Sequence, residues 1–245
     1  MFSFSNVTFS LCLLFSSYLS ALCSSLPNPD PLQTYKHDRM GVIAGVTPHD
    51  MRRSVILCSS LYHALLALTF PSPDTRICPH PSNINPVLFT WNALTLGGLI
   101  LIICIRAPIR LAAYRWLGKN FTFRLAPPDR LITTGIYCYV QHPSYTVQVI
   151  VFAANFILLT RWDASLACWI PGHIIETMDG WGLVVYGVAI PMMVWILSVR
   201  VRDEEAMLKE KFGENWEQWH RKTKRFIPGV DEIGFSEELK RGFSI

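Results

Sequence analysis

The sequence predicts an all-α protein, a multi-pass transmembrane helical bundle of about five spans with a cytosolic amphipathic helix towards the C-terminus. Three observations carry this reading. Hydrophobic residues make up 51% of the 245 residues and charged residues only 16%, at a mean hydropathy of +0.29, whereas a soluble domain holds about 25% charge. Five apolar runs, at 4–23, 55–70, 86–105, 143–160 and 181–199, reach or approach the roughly 20 residues needed to cross a bilayer. Lys and Arg are also divided unevenly between the connecting segments, which fixes an orientation.

The run at 4–23 has no positive leader, although Ser20-Ala21-Leu22-Cys23-Ser24 is small enough for a cleavage site. Cleavage would invert every later loop, so the run is read as a retained anchor with a lumenal N-terminus. The segment 27–53 carries Pro27, Pro29, Pro31 and Pro48 and four Lys or Arg, and reads as an irregular cytosolic linker. Arg52 and Arg53 precede the short second run and extend its reach by snorkelling. Segment 71–86, with five prolines, is a lumenal turn. Segment 106–143 is cytosolic, with six Lys or Arg among aromatic residues, and reads either as a headgroup belt or as a loop folded over a ligand.

Segment 161–180 returns to the lumen with Pro171-Gly172 at its centre and is read as holding a short interfacial helix. The last run contains Pro191, expected to kink it. Ten Lys or Arg follow from Arg200 onward, while the two lumenal segments hold only Arg76 and Arg161. Leu208, Phe212, Trp216 and Trp219 fall at i, i+4, i+8 and i+11, one apolar stripe expected to lie on the membrane surface, with Gly213 as a candidate break. Seven scattered cysteines show no metal spacing and no readable disulfide framework, and are expected to be small apolar packers. The net charge of +4 is modest, and no nucleic-acid partner is expected.

Two polar clusters sit where apolar runs meet charge. Leu131–Tyr145 reads L-I-T-T-G-I-Y-C-Y-V-Q-H-P-S-Y, with Thr133-Thr134-Gly135 as a turn and Pro143 suited to a first helical position. Arg200-Val201-Arg202-Asp203-Glu204-Glu205 follows the last run. Gly-x-Tyr, His-Pro-Ser-Tyr at an apolar helix start, and Arg-x-x-x-Glu-Glu after the final span resemble the isoprenylcysteine carboxyl methyltransferase family. The resemblance runs from about Tyr114 to Pro228.

It implies methyl transfer from S-adenosylmethionine to the α-carboxylate of a C-terminal S-prenylcysteine at the endoplasmic reticulum, with prenylated proteins and membrane lipids as partners. It also implies that Leu131 and Ile132 line the adenine pocket, that Tyr137, His142, Pro143, Ser144, Tyr145 and Glu204 contact the cofactor, and that Arg200 binds substrate. The domain reading follows: 1–113 as anchor spans and linkers, 114–228 as the catalytic region, 229–245 as a tail. Such a transfer needs no general base, because an α-carboxyl with a pKa of roughly 3.5 is already ionised. No catalytic residue in the strict sense and no metal site is therefore assigned.

Taken from the residues alone, Arg200 is equally a positive-inside anchor, Glu204 and Glu205 are ordinary acids of a helical turn, and His142-Pro143 is a helix-start arrangement. Two positions depart from the family pattern. Gln141 stands where an arginine is usual, and Val147 where a glycine is usual. An arginine at 141 is expected either to pair with an acid of the 200–205 cluster, a role that Arg202 or Arg130 would have to take over here, or to face headgroups. A phospholipid or other lipid methyltransferase, and a silent relative that binds prenyl groups or lipid, are the alternatives.

Overall fold

The computed structural model describes residues 3–25, 27–29, 31–41, 46–159, 161–178 and 180–227. Pro228, where the resemblance ends, and the tail 229–245 lie outside these. Among the described residues the fold is all-helical, with no strand beyond an isolated bridge between Val140 and Lys224.

Helix α1, Phe4–Ser24, opens on Ser3, whose hydroxyl accepts from the Ser5 amide. Helix α2, Val46–Thr69, starts nine residues before its apolar run, so Arg52 and Arg53 lie within the helix. The third run begins in a 3-10 turn, Pro86–Phe89. Asn92 then forms a reciprocal capping box with Thr95, satisfying orphan amides at the start of α3, Ala93–Ile100. A π-helical stretch, Leu101–Arg106, leads into α4, Ala107–Leu117. Pro108 explains the widening: it has no N–H to donate, and its ring would crowd the carbonyl four residues back. Helix α5, Pro143–Leu159, opens on its proline, and a short α6, Gly172–Met178, precedes α7, Trp181–Phe212. Helix α7 stays helical through Pro191. At Gly213, φ is +51°, a conformation that favours glycine, and α8, Glu214–Lys222, begins after it.

Among the described residues, three stretches are long and apolar enough to cross a membrane: Phe4–Ser24, Ala93–Asn120 and Trp181–Phe212. Helix α7 exposes Leu183, Val188 and Trp195, as a lipid-facing helix does.

The chain forms two compact units. The first comprises 1–25, 49–108 and 150–191. Its core gathers Phe9, Leu13, Leu66, Leu88, Phe89 and Leu99. Segments 71–86 and 161–180 are knit together within it. The Asn85 amide donates to the Asp163 carbonyl at 2.8 Å, the Asn83 side chain to the Ile170 carbonyl at 2.7 Å, and Cys78 is disulfide-bonded to Cys168. Two of the seven cysteines thus cross-link loops rather than pack as thiols, a correction to the sequence reading. Their pairing depends on these loops meeting across 90 residues of sequence.

The second unit comprises 26–48, 109–149 and 192–245. Leu125, Met207, Leu208 and Trp216 form one cluster, flanked by Tyr35, Leu131, Phe212 and Trp219. The stripe expected on the membrane surface is therefore packed inside the protein. Gly213 splits it between two helices, and segment 121–131 supplies the apolar partner that hydropathy alone assigned to lipid.

Candidate functional site

All the residues singled out in the two motifs lie in the second unit. Where the apolar part of α7 gives way to charge, most of the charges are already paired. Arg200 is buried; its Nη1 lies 2.6 Å from Asp38 Oδ1, and its Nη2 donates to the Phe123 carbonyl. Asp203 accepts from Arg39 three ways, from Nη2 at 2.6 Å, Nε at 3.0 Å and the backbone amide at 3.1 Å. Glu205 accepts the Arg225 guanidinium fork and, at 3.2 Å, His142 Nε2. Such pairs hold because each buried charge keeps both a counter-charge and directed hydrogen bonds.

Glu204 differs. It accepts from the Tyr145 hydroxyl at 2.8 Å and has His142 Nδ1 at 3.9 Å, but among the described residues it forms no ion pair with Lys or Arg. Arg200 and Glu204 are four residues apart, one above the other on the same helical face.

The other motif is positioned by backbone. Gly135 has φ +64°, and a Cβ there would sit 2.2 Å from the Trp116 ring, so the turn requires glycine. The 3-10 turn it opens, Gly135–Cys138, buries Tyr137 beside Ile132 and Ala113. Burial pushes the Tyr137 phenol far above its ordinary range, and the nearby Glu204 charge adds to this, so Tyr137 stays a neutral donor. The Gln141 amide donates to the Lys224 carbonyl at 2.8 Å and the His142 amide to that of Arg225 at 3.0 Å, which fixes the register leading into α5. Pro143 and Ser144 are buried, and Arg110 donates to the Ser144 hydroxyl while lying 5.1–5.4 Å from the Tyr114, Phe121 and Phe123 ring centroids.

The structure therefore brings together Tyr145, His142, Glu204 and Arg200, along with Tyr137. It separates the apolar pair: Leu131 packs at the edge of the Leu208–Trp216 cluster, and Ile132 lies in the cluster with Tyr137. Val147 is fully buried, so its added bulk is accommodated by packing.

Gln141 is satisfied without charge. Its Nε2 donates to the His220 and Thr223 carbonyls at 3.0 and 2.6 Å, and its Oε1 accepts from His220 Nδ1 at 2.8 Å. The cations on the acidic cluster are Arg225 on Glu205 and Arg39 on Asp203, rather than Arg202 or Arg130. The sequence reading also missed Asp38 and Arg39, which lie in the supposed irregular linker. Asp38 takes the carboxylate position on Arg200 that the reading reserved for substrate.

The isoprenylcysteine carboxyl methyltransferase (ICMT) family model matches residues 99–172, a stretch that contains the first motif and stops short of Arg200. A Schizosaccharomyces pombe relative, "Protein-S-isoprenylcysteine O-methyltransferase", is 27% identical over 150 residues, covering 59% of this chain and 52% of that protein. The match thus spans about half the length of that relative. No solved structure matches the chain. The resemblance read from the motifs is borne out by these two comparisons.

Proposed function

We propose that the chain is a membrane methyltransferase that esterifies the α-carboxylate of a C-terminal S-prenylcysteine, with 114–228 as its catalytic region, 1–113 as its anchor and 229–245 as a tail. The observation that carries this is the Tyr145–Glu204 hydrogen bond. It joins the start of α5 to the charged part of α7, the two motifs of the family pattern, across 59 residues.

The residues fit S-adenosylmethionine, which when bound supplies an electrophilic methyl on a sulfonium. Glu204 is a carboxylate with spare acceptor capacity, suited to ribose hydroxyls or an ammonium. Tyr137 and Ile132 offer buried apolar surface beside it, and His142 is fixed by Glu205. Arg200 offers a guanidinium for the substrate carboxylate, which must exchange with Asp38 to reach it. Neutralisation of charge along the reaction favours a dry site, and positioning carries much of the rate.

We read five spans, adding α2 and α5 to the three long apolar stretches, in the endoplasmic reticulum membrane with the C-terminus cytosolic. The Cys78–Cys168 bond supports the lumenal placement of segments 71–86 and 161–180, because disulfides persist in oxidising compartments. Asn120-Phe121-Thr122 is a glycosylation sequon on the opposite side in this reading. Expression in microsomes should leave Asn120 unmodified; a glycan there, removed by endoglycosidase, would overturn the topology.

Membranes incubated with methyl-labelled S-adenosylmethionine and N-acetyl-S-farnesylcysteine test the chemistry. A base-labile methyl ester of the farnesylcysteine is the expected product. Label appearing in lipid instead, or no transfer at all, would refute the reading.

A further inference from the structure

A second site lies on the far side of α7 from Arg200 and Glu204. A cavity of about 640 Å³ is lined there by Arg202 and Lys209 of α7, by Trp216, His220 and Arg221 of α8, and by Arg225. At about 100° per residue, Arg202 and Lys209 project roughly 180–200° away from Arg200 around the helix axis. The cavity is therefore not the opposite wall of the proposed methyl-transfer site, and the inference does not rest on that reading.

The cavity has an excess of cations. Its two carboxylates are Glu205 and Glu217. Glu205 is occupied by Arg225 and His142. Glu217 lies 3.1 Å from Lys209 and 3.9 Å from Arg221. Arg202 has no acidic partner among the described residues, and its buried Nε has no acceptor there. The Trp216 indole is only 6% exposed, and its Nε1–H likewise has no acceptor among the described residues. Two buried donors without acceptors among the described residues, on the wall of one cavity, are suited to oxygen atoms of a ligand. Water supplies oxygen but not the negative charge that the cations favour.

The height along α7 narrows the ligand. The apolar part of the helix ends at Val199. Arg202 follows it by about 4.5 Å at 1.5 Å per residue, within a headgroup layer of about 5–8 Å per side, and Lys209 by about 15 Å, on the aqueous side of that layer. We propose that this cavity binds a phosphomonoester, supplied by the headgroup of an anionic membrane lipid of the leaflet that α8 faces. Arg202, without an acidic partner among the described residues, provides the charge, Lys209 adds to it beside Glu217, and the Trp216 N–H provides a directed donor.

The test titrates the detergent-solubilised full chain with fluorescent dioctanoyl phosphatidylinositol 4-phosphate and reads polarisation. Arg202→Gln and Lys209→Gln should each weaken binding at least fivefold. Trp216→Phe, which keeps the ring and removes the N–H, should weaken it two- to fivefold. Lys119→Gln, which alters an exposed lysine outside the cavity, should leave it unchanged. Circular dichroism and thermal midpoints of all four variants identify any that fail to fold, and the charge-retaining Arg202→Lys should recover part of the lost affinity. Competition by dioctanoyl phosphatidylinositol 4-phosphate at least tenfold stronger than by inorganic phosphate supports the lipid source. Equal competition by inorganic phosphate would overturn the lipid headgroup as the ligand. Equal binding of dioctanoyl phosphatidylserine, or wild-type affinity in folded Arg202→Gln and Lys209→Gln, would overturn the site.

Discussion

The two units are held by different forces. In the first, aromatic and aliphatic side chains close around Phe9, Leu66 and Phe89, and some of its buried polar groups are met by backbone. Ser10 donates to the Ala64 carbonyl at 2.9 Å, and His63 Nε2 lies 2.8 Å from that of Leu88. In the second, buried charge meets opposite charge: Asp38 with the equally buried Arg200, Asp203 with the exposed Arg39, Glu205 with the half-buried Arg225. Among the described residues, all Lys and Arg except Arg52, Arg53, Arg76, Arg106 and Arg161 fall in the second unit. Ion pairs of this kind contribute little net stability compared with apolar packing, yet removing one partner costs about 3–5 kcal/mol. A unit built this way holds polar groups in fixed positions at the expense of tolerance. Its charges are the ones to suspect of function.

The sharpest way to test that contrast is to damage the first unit. Cys78→Ser or Cys168→Ser opens a cross-link spanning 90 residues and should cost about 2–4 kcal/mol of stability. The thermal midpoint should fall by about 10 °C, while KM and kcat of the surviving protein at low temperature stay within twofold. A kinetic change as large as the stability change would erase the distinction between the units.

Damage to the second unit should read the other way. Arg200→Ala is expected to lower kcat/KM for farnesylcysteine about 100-fold, near 2.7 kcal/mol, mainly through KM. Arg200→Lys should recover only part, since one ammonium cannot replace the fork. Glu204→Ala should weaken S-adenosylmethionine instead. Asp38→Asn adds a further arm: relieved of its resident carboxylate, Arg200 should bind substrate with a KM several-fold lower. Titrating both substrates against the four variants checks the division of roles, which fails if Arg200→Ala and Glu204→Ala raise the same KM.

A smaller effect concerns Gln141. An arginine at 141 was expected to tie the acids to α5, but Arg225 already does so, and Gln141 is enclosed by two carbonyls and His220. Gln141→Arg should therefore destabilise by about 1–2 kcal/mol, through a buried charge without a free counter-ion, and should not raise kcat. In the double variant with Arg225→Gln the new arginine has Glu205 as a partner, and stability should return towards wild type. Additive losses in the double variant, measured by thermal denaturation, would show that the two positions are not exchangeable.

What the sequence disclosed follows the range of the interactions. Pro143 as the first residue of a helix is a local property and was legible. So was the Leu208–Phe212–Trp216–Trp219 stripe as one face, although its partner was not: hydropathy cannot tell lipid from Leu125. The polar beginning of α2 was invisible because the apolar run starts only at Val55. Asp38 and Cys78 lie 162 and 90 residues from their partners, and no spacing rule in a single sequence links such positions. The pairing of Tyr145 with Glu204 is as distant in kind, and it was approached only because both residues belong to motifs of one family.

The least effect is expected from pH, and it probes the edge of the second unit. His220 stacks on Trp216 with ring centroids 4.4 Å apart, and its Nδ1 lies 2.8 Å from the Gln141 oxygen. Burial lowers its pKa from the ordinary value, and Arg225, His142 and Lys209 add to the lowering while Glu205 opposes it. The folded protein thus holds the imidazole neutral at a pH where the unfolded chain begins to protonate it. With a lowered folded pKa, the stabilising contribution is complete above the unfolded value of about 6.5 and is lost as pH falls through the folded one. Thermal midpoints between pH 7.5 and 5.5 should therefore decline in wild type, and less steeply in His220→Gln, whose amide can still donate to Gln141. Parallel slopes would mean that His220 is not the group responsible, and that the acid sensitivity of this unit resides in its carboxylate pairs.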